Sequence, residues 1–287
     1  MTDAPFQFFA LRVLRTTRPT PSFVRVTFGG DVARFASAGR DQRVKLFLPG
    51  PGQDAPVLPG PEDGHWWDAW RALDPDVRGV MRTYTVRELR RATQELDIDF
   101  ALHEMSAEAE AGAGAGAGSG EGPATRWASN AGPGDRVGIL APIHEENAGY
   151  DFRPPDGTDW IVLTGDESAL PAVAGILQSL PAGIPAHVWI ALDHAADRWE
   201  LPTKADAHVT WLVRDESAPA TEDAIRAADD LPDGTPYAWI AGESATVKAV
   251  RRHLVGERGF DRKAVKFTGY WRRGTSEDEL LRSGEDA

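Results

Sequence analysis

Near residue 155 the hydrophobic pattern changes period, and that change limits the fold more than any other feature of the chain. Before it, short β-prone segments alternate apolar and polar side chains, as in Ser22-Phe23-Val24-Arg25-Val26-Thr27-Phe28. After it come continuous apolar runs, such as Trp160-Ile161-Val162-Leu163, separated by helical stretches. Alternation at period two suits antiparallel strands with one covered face, whereas continuous runs suit a parallel sheet covered on both faces. A chain of 287 residues is long enough for both. The expected domains are therefore 1–154 and 155–287.

The first half holds six expected strands: Phe8–Thr17, Pro21–Gly29, Gln42–Pro49, Met81–Arg87, Glu95–His103 and Asp135–Leu140. Pro and Gly punctuate them at 17–21, 49–52 and 133–134, and Trp66–Trp70 reads as a short helix. Six short strands with such turns predict a six-stranded antiparallel β-barrel. In the second half, strands at 159–166, 186–193, 207–213, 237–243 and 264–270 alternate with helices at 169–179, roughly 220–230, and 244–258. That alternation predicts an α/β doubly wound parallel sheet. Between barrel strands five and six, residues 104–121 form an acidic Gly/Ala-rich insert, whose composition reads as a flexible loop.

Charge and cysteine usage narrow the partners. The net charge is −13, but the insert at 104–121 carries four acids and no base, and 275–287 carries five acids and one base. The remainder is only mildly acidic, so nucleic acid is not an expected partner, and an anionic substrate would need a local basic pocket. There are no cysteines, which removes disulfides, thiolate metal sites, Fe–S clusters and a catalytic thiol. No apolar run reaches the length of a membrane span, and the first residues do not read as a signal peptide. A cytoplasmic protein without a metal site is the simplest expectation.

The stretch Arg82-Thr83-Tyr84-Thr85-Val86-Arg87 carries the most chemistry. In a strand, Arg82 and Tyr84 share one face, and Thr85 and Arg87 the other. Arg offers a planar fork to a phosphate, Tyr a flat face for stacking, and Thr a hydroxyl for a ring nitrogen. One strand thus supplies the parts that hold an aromatic cofactor with a phosphate tail. The competing reading is an edge strand whose Arg residues deter aggregation. Downstream, Gly122-Pro123-Ala124-Thr125 opens a helical segment whose first backbone N–H groups suit a phosphate, or are simply capped. In the second half, Gly165-Asp166-Glu167-Ser168 and Gly242-Glu243-Ser244 end two sheet strands, with Ser168 and Ser244 as expected N-caps. The ordinary Gly-x-Gly-x-x-Gly fingerprint is absent.

In this order the motifs resemble the siderophore-interacting protein family, flavin-dependent ferric-siderophore reductases of ferredoxin-reductase architecture. The resemblance rests on Arg82-x-Tyr84-Thr85-x-Arg87, Asp97-x-Asp99-Phe100-x-Leu102-His103, Gly122-Pro123-Ala124-x-x-Trp127, Gly165-Asp166-Glu167-Ser168-Ala169-Leu170-Pro171 and Gly269-Tyr270-Trp271-Arg272. It departs where Glu104 and the acidic insert follow His103, and where Ser168 stands in place of the usual Thr. It implies an FAD-binding barrel followed by an NAD(P)H domain. By the same resemblance Arg82 holds the pyrophosphate, Tyr84 stacks on the isoalloxazine, and Thr85, the nearest thing to a catalytic group, reaches the flavin N5 region. Arg87, Asp99, His103, Ala124, Thr125 and Trp127 match further cofactor positions, and Gly165, Asp166, Glu167, Ser168, Gly242 and Glu243 match the nicotinamide nucleotide site. For His103 a strand-end histidine, and for Trp127 a core aromatic, stand as alternatives.

The reaction so implied is hydride transfer from NADH or NADPH to FAD, then single electrons to an anionic ferric siderophore. Lys45, Arg272 and Arg273 are the expected substrate-binding cations, with Arg126, Lys263 and Lys266 in reserve; Lys45 stands out among five Lys against 26 Arg. Asp193, at the end of the second sheet strand, favours NADH by bonding a ribose 2′-hydroxyl, and Arg198 favours NADPH; the balance tips to NADH. A general flavin reductase of the same architecture and a non-enzymatic siderophore-binding protein are the other readings.

Overall fold

A computed structural model describes residues 5–59, 66–102 and 122–275, which divide into two units between Tyr150 and Asp151. The insert at 104–121, His103 and the tail at 276–287 lie outside the described residues.

The first unit is a closed barrel of β1 (Phe6–Thr20), β2 (Phe23–Gly29), β3 (Arg43–Leu48), β4 (Val80–Arg90), β5 (Glu95–Ala101) and β6 (Arg136–Pro142), in the order β1-β2-β5-β4-β3-β6. Every pairing is antiparallel. Alternation decides which side chains go inside: Val24, Val26 and Phe28 of β2 face Phe100, Ile98 and Leu96 of β5, and all six are buried. The first hairpin is tighter than the Pro-rich 17–21 stretch suggests. Two register shifts, at Val13/Arg15 and Thr17/Thr20, let β1 run on to Thr20 with Pro19 inside the second. A shift is where a strand tolerates a residue that cannot donate to the ladder. Helix α1 (Trp66–Ala72) packs Trp70 on Phe47, ring centroids 6.4 Å apart.

The segment after β6 is held to the barrel by a reciprocal amide pair. Asn147 Nδ2 donates to Gln42 Oε1 at 3.0 Å, and Gln42 Nε2 donates to Asn147 Oδ1 at 3.2 Å. Gly149 lies against this pair so closely that a Cβ would stand 2.3 Å from Gln42 Nε2.

The second unit is a five-stranded parallel sheet in the order β11-β10-β7-β8-β9, from β7 (Trp160–Gly165), β8 (Pro185–Leu192), β9 (Asp206–Val213), β10 (Pro236–Glu243) and β11 (Val265–Trp271). The order reverses between β7 and β10, which is the switch point at which ligands of such sheets bind. Helices α4 (Thr221–Arg226) and α5 (Ser244–Gly256) share one core with Trp160, Val162, Ala238 and Ile240. The alternate β7 residues Ile161 and Leu163 turn to the other face, and α3 (Leu170–Ser179) packs on β7 outside that core. Among the described residues no helix is long and apolar enough to cross a membrane.

Candidate functional site

The barrel closes unevenly, and the uneven seam carries the Arg82–Arg87 stretch. β4 and β5 pair only from Val86↔Ile98 to Arg90↔Glu95. Ahead of Val86, residues Val80–Thr85 are paired to β3 alone, while Asp99, Phe100 and Ala101 are paired to β2 alone. The two strands therefore splay over the length that carries Arg82, Tyr84 and Thr85. Helix α2 (Pro123–Asn130) sits against β2, β4 and β5 at this seam.

Strand alternation places the motif as expected from period two. Arg82 stands opposite Leu46 and Tyr84 opposite Val44, on the core side; Thr85 stands opposite Arg43. Tyr84 is half-buried and its ring centroid lies 4.4 Å from that of Phe100. Arg82 and Thr85 are buried, and Arg82 Nη1 donates to the Met81 carbonyl at 2.8 Å. A register shift between Val86 and Glu88 bulges β4 at Arg87. There Arg87 Nε comes 3.7 Å from Asp99 Oδ2, while Arg25 grips the same carboxylate bidentately at 2.7 and 2.9 Å. Burial pushes the Asp99 pKa up against the pull of Arg25, whose own pKa is raised by the bond it donates. Burial lowers the pKa of Arg87. Asp99 thus faces two guanidinium groups, Arg25 in a bidentate grip and Arg87 at 3.7 Å.

A charged ladder continues from there across the outer face. Asp97 accepts from Thr27 at 2.7 Å and from both Arg90 nitrogens at 2.7 and 2.8 Å; Glu95 takes Arg15 bidentately at 2.9 and 2.8 Å. Burial alone would raise the Asp97 pKa, but the Arg90 and Thr27 bonds outweigh it and lower it. The sequence pattern flagged Asp97 but not Arg15, Thr27 or Arg90; cross-strand register is what brings them together.

Helix α2 begins with Gly122 as N-cap, Pro123 in its first turn, and no side-chain cap. An uncapped start directs its early backbone N–H groups outward, and an anion suits them. Ala124 is buried in the barrel core, Thr125 is half-buried, and Arg126 is exposed. Trp127 stacks on Phe28 at 6.2 Å with the rings 9° apart, and tilts against Phe100 at 6.0 Å. It is thus packed on the core, against Phe100, the ring that also meets Tyr84. An aromatic cofactor with phosphates fits this combination of a splayed seam, a flat ring, a guanidinium and an uncapped helix start. Lys45 lies on the outer face of β3, its Nζ donating to Thr83 Oγ1 at 2.8 Å.

In the second unit the predicted strand-end residues converge at the switch point, but with different roles for their side chains. Asp166 Oδ1 accepts from the Ser168 N–H at 3.0 Å and the Ser168 hydroxyl at 2.5 Å. Its Oδ2 accepts from Glu243 N at 2.9 Å and Trp271 Nε1 at 2.8 Å. Ser168 is therefore not the N-cap of α3; that position is Ala169, because Asp166 takes the serine hydroxyl. Ser244 is not the cap of α5 either. Its hydroxyl donates to the Trp271 carbonyl at 3.0 Å, and Glu243 caps the helix by accepting from Ala245 and Thr246 N–H at 2.7 and 3.0 Å. The other Glu243 oxygen accepts from Arg273 N at 3.4 Å. What Gly165 and Gly242 offer is close approach. A Cβ on Gly165 would stand 2.6 Å from Ala169 Cβ, and one on Gly242 (φ +135°) 2.6 Å from Asp166 Oδ2. Glu167 Oε1 accepts from Asp193 N at 2.5 Å, tying the end of β7 to the end of β8. Burial, with Asp166 and Asp193 nearby, pushes its pKa up to about 7. Arg272 and Arg273 follow the end of β11, and Lys266 pairs with Asp151 at 3.0 Å. Among the described residues no group of three or more His, Cys, Asp or Glu could hold a metal ion.

Known proteins match both units in the order found here. Residues 12–146 match the family profile described as the siderophore-interacting FAD-binding domain, and residues 158–274 the one described as siderophore-interacting protein. The chain is 29% identical to the ferric vibriobactin reductase ViuB of Vibrio cholerae, over 93% of this chain and 90% of that protein. It is 30% identical to an NADPH-dependent ferric-chelate reductase of Escherichia coli, over 92% and 93%. Among solved structures, a siderophore utilization protein from T. fusca is 34% identical over 95% of each chain, with a TM-score of 0.74.

Proposed function

The chain belongs to the siderophore-interacting protein family, and we propose that it is an NAD(P)H-dependent, FAD-containing reductase of ferric siderophores. The observation that carries this reading is the splayed β4–β5 seam bearing Arg82, Tyr84 and Thr85, in a barrel that matches the family's FAD-binding domain. In this reading the barrel is the FAD domain and the parallel sheet the NAD(P)H domain. The proposed setting is the cytoplasm, where reduced nicotinamides are supplied.

Bound FAD supplies the conversion of a two-electron hydride donor into one-electron delivery to iron. The chain's part is to hold and tune. Arg82 presents its guanidinium to the pyrophosphate, joined by the first N–H groups of α2 at Ala124 and Thr125. Tyr84 lends its flat face to the isoalloxazine, with Phe100 setting the ring from behind and Trp127 beyond it. Thr85 offers a hydroxyl to a ring nitrogen. Asp99, gripped by Arg25, lies 3.7 Å from Arg87 Nε on the bulge and is a counter-charge to that guanidinium beside the seam. At the switch point the backbone between Gly165 and Ser168 and at Gly242 lets a nicotinamide nucleotide approach closely.

The second substrate is the ferric chelate. Hard oxygen donors of hydroxamate or catecholate type hold Fe(III) far better than Fe(II), so reduction loosens the metal. Lys45, Arg272 and Arg273 are the proposed contacts to the anionic chelate. No general acid or nucleophile is required.

The test is the visible spectrum of the purified protein with added FAD, anaerobic reduction by NADH and by NADPH, then addition of a ferric siderophore with an Fe(II) trap. Flavin absorbance that bleaches with the nucleotide and returns with trapped Fe(II) is expected. A colourless protein after FAD addition sinks the reading, and reoxidation by free flavin but by no ferric chelate replaces it with a general flavin reductase.

A further inference from the structure

The carboxyl ends of β8 and β9 carry three basic side chains side by side, each paired with a carboxylate. Arg214 Nη2 lies 3.0 Å from Asp193 Oδ1, His194 Nδ1 lies 2.7 Å from Asp215 Oδ2, and Arg198 pairs with Glu216. Each pair joins the segment after β8 to the 3₁₀ turn Arg214–Glu216 after β9. The register explains why: Leu192 and Val213 are partners on parallel strands, so the residues that follow them meet. Two backbone bonds fix the arrangement. Asp215 N donates to the Asp193 carbonyl at 3.2 Å, and Asp193 N donates to Glu167 at the end of β7.

This is the place in an open parallel sheet where the adenosine ribose of a dinucleotide lies, one strand beyond the switch point. A 2′-phosphate would need cations there. The cluster has them, but each is already matched to a carboxylate of its own. All six side chains are at least 39% exposed, so the pairs themselves are weak and could open. The obstacle is what remains after opening. Asp193, Asp215 and Glu216 would be left against the incoming dianion, with Asp197 buried close by, while a bare 2′-hydroxyl needs only one carboxylate acceptor.

We infer that the Asp193–Arg214, His194–Asp215 and Arg198–Glu216 pairs form the 2′-ribose subsite of the electron donor, and that they select NADH against NADPH. This rests on the reductase reading for the identity of the donor, but not for the test. The selectivity is repulsive: the acids exclude the phosphate more than they attract the hydroxyl.

The experiment uses the full chain with FAD added. Calorimetric titration with NADH and with NADPH, run anaerobically after dithionite has fully reduced the flavin so that no hydride can pass, gives two dissociation constants, for the wild type and for the double variant Asp215→Asn/Glu216→Gln. The variant frees His194 and Arg198 from their carboxylates at exposed positions, where folding is not at stake. In the wild type NADH should bind about tenfold or more tighter than NADPH, and the variant should move the ratio towards NADPH by about ten- to a hundredfold. The wild-type preference should shrink between 50 and 500 mM salt, as exposed charges are screened. Wild-type binding of NADPH as tight as NADH, a ratio unmoved in the variant, or no binding of either nucleotide overturns the inference. Selective binding without bleaching of the oxidised flavin leaves it standing and removes the reductase reading instead.

Discussion

Asp166 Oδ2 accepts a hydrogen bond from the indole of Trp271 at 2.8 Å, across 105 positions of sequence. The same oxygen takes the Glu243 N–H at 2.9 Å, so one carboxylate gathers the ends of β7, β10 and β11. The other oxygen is filled by Ser168. Four donors aim at one side chain, which fixes its orientation. In Asp166→Asn one acceptor becomes a donor that faces donors. A loss of about 1–3 kcal/mol is expected when an acceptor oxygen is replaced by an N–H opposed to other donors. Urea unfolding of the variant measures it, and a midpoint within error of the wild type would show that the strand ends are held by other means.

Gly242 bears on the same carboxylate from the backbone side. Its φ of +135° is one that L side chains rarely adopt, and a Cβ would press on Asp166 Oδ2 at 2.6 Å. Gly183 is the natural control, since its φ of +75° is also left-handed but nothing lies within 4 Å of its Cβ position. Gly183→Ala should cost about 1 kcal/mol for the backbone alone, and Gly242→Ala about 3 kcal/mol, with weakened nucleotide binding in the second only. Equal losses at the two positions would mean that the contact with Asp166 is relieved at no cost.

Much of the fold is legible in the sequence alone. The change of period near 155 separates barrel from parallel sheet because the number of covered faces is written into the hydrophobic pattern. Arg82, Tyr84 and Thr85 stand out in the sequence because one short strand offers a guanidinium, a flat ring and a hydroxyl together, while Tyr and Thr are themselves ordinary strand residues. The caps were misread at Ser168 and Ser244 for one reason. A serine before a helix satisfies whichever partner is nearest, and here the partners, Asp166 and the Trp271 carbonyl, are set by the turn and by the sheet. Gln42 and Asn147 carried no signal at all, since a reciprocal amide pair 105 residues apart exists only once register brings the two together. The splay between β4 and β5 was likewise invisible, because pairing lengths depend on the bulge at Arg87.

Lys45 offers a separation of roles. Its Nζ is hydrogen-bonded to Thr83 on the outer face of the barrel, away from the core-side positions of Arg82 and Tyr84. Lys45→Ala should therefore leave bound FAD unchanged while raising KM for a ferric siderophore about three- to tenfold, as expected for losing one cation that meets an anion. Steady-state Fe(II) trapping checks this against the flavin absorbance of the same sample. Unchanged kinetics would remove Lys45 from the substrate path, and lost flavin would place it in the cofactor seat.

Glu167 gives the fold a pH dependence whose sign can be worked out. Its carboxyl is pushed up to about 7, first by burial and then by Asp166 and Asp193, from an ordinary value of 4.5. The folded state therefore holds a proton that the unfolded state has already released between those two values. Stability contributed by this group is full below 4.5 and falls as the pH rises towards 7, because charge must then be kept in a buried place. Glu167→Gln keeps an oxygen for the Asp193 N–H and never ionises. The variant should match the wild type at pH 4.5 and exceed it by about 1–3 kcal/mol at pH 8, the gap opening across the interval between. Urea midpoints at half-unit steps of pH trace the gap directly. A constant difference at all pH values would mean that Glu167 is ionised throughout, and that the short bond from Asp193 N, rather than burial, sets its state.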